Sequence, residues 1–204
     1  MRSVLISGFE AFHNHSCNVT EMLVNQLRAT SPVNVAIKTV ILPVVRWKST
    51  DILMSAISVH NPSAVIALGQ SRRPGISLER LAHNHDHFKI PDNAGNQPLN
   101  SAIINDGPIS YNSTLPLKEM FKVLNKADIP VHYSESAGTY VCNHVFYGLM
   151  HTIDQSSINA GFIHMPMLPE QVNHPDRLSL AFEIQLHALN LILDTVHTHL
   201  NHPD

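Results

Sequence analysis

At 204 residues, with a formal net charge of −3 and 14% charged side chains, the chain suits one domain with a substantial buried core. That balance excludes the strongly basic surfaces that grip nucleic acid, and no apolar run is long enough to span a bilayer. Two cysteines, Cys17 and Cys142, are too few for a disulfide framework and point to a reducing, cytoplasmic setting. Ser3 to Ser7 is a short apolar strand, too short and without the cleavage site of a secretory signal. Gly8 ends it, a loop runs from Phe9 to Thr20, and a helix follows from about Glu21 to Arg28. Val33 to Leu42 carries alternating β-branched residues and reads as a strand that Pro43 stops. Lys48 to His60 places Ile52, Leu53, Ala56 and Ile57 on one helical stripe. Ala64 to Leu68 is a continuous apolar run, as in a strand buried on both faces.

This rhythm predicts an α/β three-layer sandwich, with a mostly parallel central sheet flanked by helices. Residues 71 to 115 are rich in proline, glycine and asparagine, with Ile76 to Asn84 as the strand among them. Leu117 to Lys126 is expected as a helix, Val131 to Ser134 as a strand, Tyr140 to Ile153 as a helix and Ala160 to Met165 as a strand. Leu178 to Leu200 is expected as the last helix, burying Leu186, Leu189, Ile192, Leu193 and Val196. No internal repeat or second domain is apparent, so residues 1–204 read as one domain.

Three stretches carry chemistry. In Ser134 to Tyr147, Gly138 allows a turn and Thr139 is a plausible N-cap, which sets Cys142 in the first helical turn. Unpaired N–H groups and the positive dipole end favour a thiolate there, although a lone cysteine also reads as a buried apolar side chain. Gly161 to Gln171 is an apolar run that reaches His164 and then meets two prolines, a suitable place for a general base. With fifteen histidines in the chain, a core histidine fits as well. In Ile76 to Asn84, Glu79 is a candidate to orient that base, or else a solvated charge. Ligand sites in such sheets lie at the carboxyl ends of the strands, where Gly8-Phe9, Gly69-Gln70 and His164 fall.

In order along the chain, Gly8-Phe-Glu-Ala-Phe12, Leu68-Gly-Gln70, Ile90-Pro-Asp-Asn-Ala-Gly95, Ala137-Gly-Thr-Tyr-Val-Cys-Asn143 and Gly161 to Gln171 resemble the motifs of the pyroglutamyl-peptidase I cysteine peptidases. The resemblance covers residues 4 to about 171. It implies Cys142 as nucleophile, His164 as base and Glu79 as the orienting acid. It implies no cofactor or metal, and a substrate whose N-terminus is a cyclised glutamate (5-oxoproline). Phe9 and Phe12 would sandwich that ring, while Asn18 and the backbone around Gln70 would bond its polar edge. The family often forms dimers or tetramers, so a homo-oligomer is expected.

The chain departs from the family pattern at several places. Ala11 replaces a proline, and His13-Asn14 replaces a glycine pair. Asn18-Val-Thr20 stands for Asn-Pro-Ser. The turn Ser71-Arg-Arg-Pro-Gly75 is one residue shorter than the family's glycine-rich turn. Lys89 stands where an arginine near the active site is usual, keeping the charge but not the planar fork. Two other functions compete. His83, His85 and His87 would share one face of a strand and suit a metal-dependent hydrolase. A non-catalytic binding protein of the same fold is the other.

Overall fold

The alternating apolar strands and amphipathic helices assemble into one sheet with helices on both faces. The computed structural model describes residues 2–12, 16–30, 36–172 and 179–202. In chain order the elements are β1 (Ser3–Phe9), α1 (Val19–Thr30), β2 (Ala36–Leu42), α2 (Lys48–His60), β3 (Ala64–Ser71), β4 (Ile76–Glu79), β5 (Leu81–His83) and β6 (Ser110–Asn112). Then come α3 (Leu117–Lys126), β7 (Val131–Ser134), α4 (Val141–Ile153), β8 (Asn159–Pro166), a 3-10 turn (Pro169–Gln171) and α5 (Phe182–Asn201). Six strands form the main sheet in the order β2-β1-β3-β8-β4-β7, and β5 pairs with β6 in a small second sheet. β2, β1, β3 and β8 are parallel; β4 runs against β8 and alongside β7.

Successive strand side chains point to opposite faces. Val4, Ile6, Ile66 and Leu68 therefore share one core with Leu23 of α1, Leu124 of α3 and Leu189 of α5. Leu5, Val65 and Ala67 pack on the other face against Leu53 of α2 and Val145 and Phe146 of α4. Both faces are covered, which is why these strands read as unbroken apolar runs. The expected three-layer sandwich is the observed architecture.

Several boundaries differ from the pattern. β2 begins at Ala36, with Val33 to Val35 outside the described residues. α5 begins at Phe182, and Leu178 also lies outside them. The stretch Ile76 to Asn84 is two strands in two sheets, parted at Arg80, whose N–H bonds Ser134 O while its carbonyl accepts from Ser113 N. Thr139 is not the cap of α4: its hydroxyl donates to His87 O at 2.9 Å. Tyr140 occupies the cap position with extended backbone and no side-chain capping bond, and Cys142 is the second helical residue.

Candidate active site

The carboxyl ends of β1, β3 and β8 bring Phe9, Gln70 and His164 to one edge of the sheet. His164 lies in register with Gly69 on β3 and Ser77 on β4. Glu79 is opposite Phe162, two residues deeper on the same face, because β4 runs the other way. The imidazole Nδ1 of His164 lies 2.7 Å from Glu79 Oε1. Glu79 is fully buried and His164 is 4% exposed, so little water competes for this bond. With Nδ1 committed to the carboxylate, Nε2 is the nitrogen left to face Cys142, which helps to raise the pKa of the ring.

Cys142 descends onto the sheet above Gly69. A Cβ at that glycine would stand 2.7 Å from the Phe162 ring and 3.1 Å from Cys142 Sγ, so only glycine admits the sulfur this closely. The loop before α4 turns at Gly138 with φ +88, a conformation that favours glycine. The first bond into α4 runs from His144 N to Tyr140 O, so the Cys142 N–H precedes the helical ladder.

Burial by itself pushes the His164 pKa down. The hydrogen bonds and negative charges of Cys142 and Glu79 outweigh it and raise the value to about 9. Burial would raise Glu79, but the hydrogen bond and charge of His164, then the Ser134 bond and the Arg73 charge, hold it below the usual carboxylate range. At neutral pH the ring therefore carries a proton and faces the sulfur as a cation.

Three contributors escaped the sequence reading. Arg73 Nη1 donates to Glu79 Oε1 at 3.1 Å and to Ser134 Oγ at 2.7 Å, and Nη2 donates to Ser136 O at 2.8 Å. It thus straps the buried acid to the loop leading into α4. Asn143, next to Cys142, accepts from His83 N and donates to His83 O and His85 O. Tyr140 bonds Pro91 O and packs against Phe12 and Phe88, with centroids 5.3 and 4.5 Å away. Burial, then the charges of Asp92 and Cys142, keep its hydroxyl protonated. All three lie in or beside the motif stretches; only their side-chain directions were hidden.

A cavity of about 270 Å³ opens over Cys142 and His164, walled by Phe9, Phe12, Val44 and Tyr140, with Asn18 and Gln70 at its polar edge. Asn18 Oδ1 accepts from Thr20 N and Oγ1, and its amide donates one proton to Glu10 O. Gln70 Oε1 accepts from Val19 N at 2.9 Å, which fastens the side chain. Lys89 is exposed and is not among the residues that line this cavity. His83 Nε2 bonds Glu135 O at 2.7 Å, and the rings of His85 and His87 are 6.4 Å apart. The described residues hold no group of three metal-binding side chains, so the metal-hydrolase reading lacks a ligand set.

An α/β sheet that presents a sulfur at a helix start, followed by an imidazole and a buried carboxylate, defines the class of cysteine-dependent hydrolases. The family described as Pyroglutamyl peptidase matches residues 2–199. The pyrrolidone-carboxylate peptidase of Vibrio vulnificus (strain YJ016) is 42% identical over 196 residues, 96% of this chain and 92% of that protein. That of Cupriavidus necator is 42% identical over 200 residues, 96% of this chain and 93% of the other. Among solved structures, pyroglutamyl peptidase I of Bacillus amyloliquefaciens superposes with a TM-score of 0.93 at 36% identity, covering 98% of each chain. A mutant pyrrolidone carboxyl peptidase of Pyrococcus furiosus superposes at 0.91 with 32% identity, over 97% of this chain and 99% of that one. The chain belongs to the pyroglutamyl peptidase family.

Proposed function

We propose that this protein removes an N-terminal pyroglutamyl residue from peptides through a thioester, with Cys142 as nucleophile, His164 as acid and base, and Glu79 as the group that holds the ring. The observation that carries this is the series from the half-buried Cys142 through the buried His164 and Glu79, opening into an apolar cavity. The sulfur attacks the carbonyl carbon of the pyroglutamyl amide. The oxyanion that forms is met by the N–H of Cys142, a donor worth roughly 2–4 kcal/mol in the transition state. His164 Nε2 gives its proton to the leaving nitrogen as the C–N bond breaks. Water, deprotonated by the same nitrogen, then releases pyroglutamate and restores the sulfur.

The cavity explains the neutral substrate. Among the described residues its walls carry no carboxylate to pair with a free α-ammonium group, and we take the flat lactam to lie between Phe9 and Phe12. One amide proton of Asn18 and the Gln70 backbone remain for the lactam's polar edge. Lys89, exposed beside Ile90, serves as a peripheral charge.

The protein is further proposed to work in the cytoplasm as a dimer or tetramer. Two free thiols support the first part, and the exposed Leu99 and Ile109 support the second. Sedimentation equilibrium that returns a monomer mass overturns the oligomer. Among the described residues no helix is long and apolar enough to cross a membrane.

The decisive experiment is release of a chromogenic amine from a 5-oxoprolyl amide by the parent and by Cys142→Ala. Complete loss in the variant is expected; unaltered turnover overturns the assignment.

A further inference from the structure

We propose that the loop of residues 91–96 is a clasp that fixes the width of the substrate cavity, with Asp92 and Asn93 as positioning residues that decide which lactam ring is accepted. This rests on the cleavage reading above and adds a specificity to it.

The stretch Ile90-Pro-Asp-Asn-Ala-Gly95 stands out in the sequence, yet none of residues 91–96 lines the cavity over Cys142. Their bonds run instead to the segments that do. Three successive residues each take hold of a wall. The Tyr140 hydroxyl donates to Pro91 O at 3.0 Å. Asp92 Oδ2 accepts the N–H of Arg46, two residues beyond Val44, at 2.7 Å. The Asn93 N–H donates to Val44 O at 3.0 Å. The Asn93 side-chain amide donates to Glu10 Oε1 at 3.2 Å and to Ala11 O at 3.5 Å. Glu10 and Ala11 are the two residues between Phe9 and Phe12. Phe12 and Tyr140, whose ring centroids are 5.3 Å apart, are therefore tied to opposite ends of one three-residue span.

The span is itself closed. Asp92 Oδ1 accepts from Ala94 N and Asn96 N, each at 2.9 Å, and Asn96 Nδ2 donates to Asp92 Oδ2 at 2.9 Å. Asp92 N donates to Asn96 O at 2.9 Å, and Gly95 N donates to Asp92 O at 3.0 Å. Gly95 turns the chain with φ +85. Asp92 is 5% exposed, so little water competes for these bonds. Walls fastened to a closed loop do not part to admit a larger ring, and a slot of fixed width rejects an extra methylene group by crowding. Neither Cys142 nor His164 bonds residues 91–96, so loosening the clasp acts on the walls first.

Two chromogenic amides test this, one of 5-oxoproline and one of its six-membered homologue, 6-oxopiperidine-2-carboxylic acid. The parent should favour the five-membered ring in kcat/KM by roughly 10- to 200-fold, the range that one methylene group commands in a fitted pocket. Asn93→Ala removes the bonds to Glu10 and Ala11 and keeps the backbone bond to Val44. Tyr140→Phe keeps the ring and removes the bond to Pro91. Each should lower the ratio by roughly twofold or more, and the double variant should lower it further than either. KM for the five-membered substrate should rise while kcat changes little. Asp92→Ala should lower the ratio furthest; should it not fold, the double variant decides. A general structural loss slows both substrates alike and leaves the ratio at the parent's value, and that result overturns the clasp. So does a parent ratio of one. No cleavage of either amide by the parent sinks the peptidase reading as well.

Discussion

His164 sits between the Glu79 carboxylate and the Cys142 sulfur, and its proton governs both stability and chemistry. Its pKa is raised from about 6.5 to about 9 on folding, so the protonated ring stabilises the fold fully below the unfolded value. That contribution fades as pH rises through about 9. Glu79 works in the opposite sense: its lowered pKa stabilises the fold above its unfolded value near 4.5 and is lost as pH falls through the folded one. The melting temperature is therefore expected to decline from pH 7 to pH 10. Cys142→Ala should flatten that slope, because one of the two groups that raise the His164 pKa is gone; calorimetry across pH reads it. In the proposed reaction the same proton goes to the leaving amine, so kcat/KM should fall on an alkaline limb near pH 9. Glu79→Gln keeps the size and removes the charge. It should cost two to four orders of magnitude in kcat, on the order of a lost triad carboxylate, and move the alkaline limb to lower pH. A limb that stays in place would separate Glu79 from the ring's titration.

At the scale of elements, the site depends on how closely α4 meets the sheet. Gly69→Ala puts a methyl group into the Phe162 ring and beside Cys142 Sγ. Turnover should fall by tenfold or more, a misplacement of the sulfur rather than a loss of its chemistry. Steady-state kinetics with active-site thiol titration checks this. Behind α4, Asp86 Oδ2 accepts from Arg46 Nε and from His144 Nδ1, each at 2.8 Å. His144 Nε2 accepts the N–H of Trp47, which holds a left-handed φ of 61. This set, buried at Asp86 and His144, ties the segment after Val44 to the helix of Cys142. Asp86→Ala should destabilise the protein by about 3 kcal/mol, read as a lower urea midpoint. The sequence marks were good where one element ends at one functional residue. Cys142 follows a glycine turn, His164 precedes prolines, and both were legible. Ile76 to Asn84 misled because its alternation continues through Arg80, and the break is imposed by distant partners, Ser134 and Ser113. β6 carries too short and polar a pattern to announce itself. Arg73 lay in a turn whose residues were visible, but whose side-chain directions depend on strands far away in the chain.

Across the whole molecule, the order β2-β1-β3-β8-β4-β7 places the last strand of the chain in the interior of the sheet. β8 pairs with β3 over Ala64 to Ser71 and with β4 over Ser77 to Glu79. Before β8 arrives, those two strands have no common neighbour, and each presents an open edge. Cys142 meanwhile has no imidazole, and Glu79 has no ring to hold. A chain still on the ribosome, short of Asn159, is thus inert as a peptidase and carries two sticky borders. Activity should emerge only after translation of the strand is complete, in one step with closure of the sheet. Holdase chaperones should bind arrested chains ending before Asn159 more tightly than full-length ones.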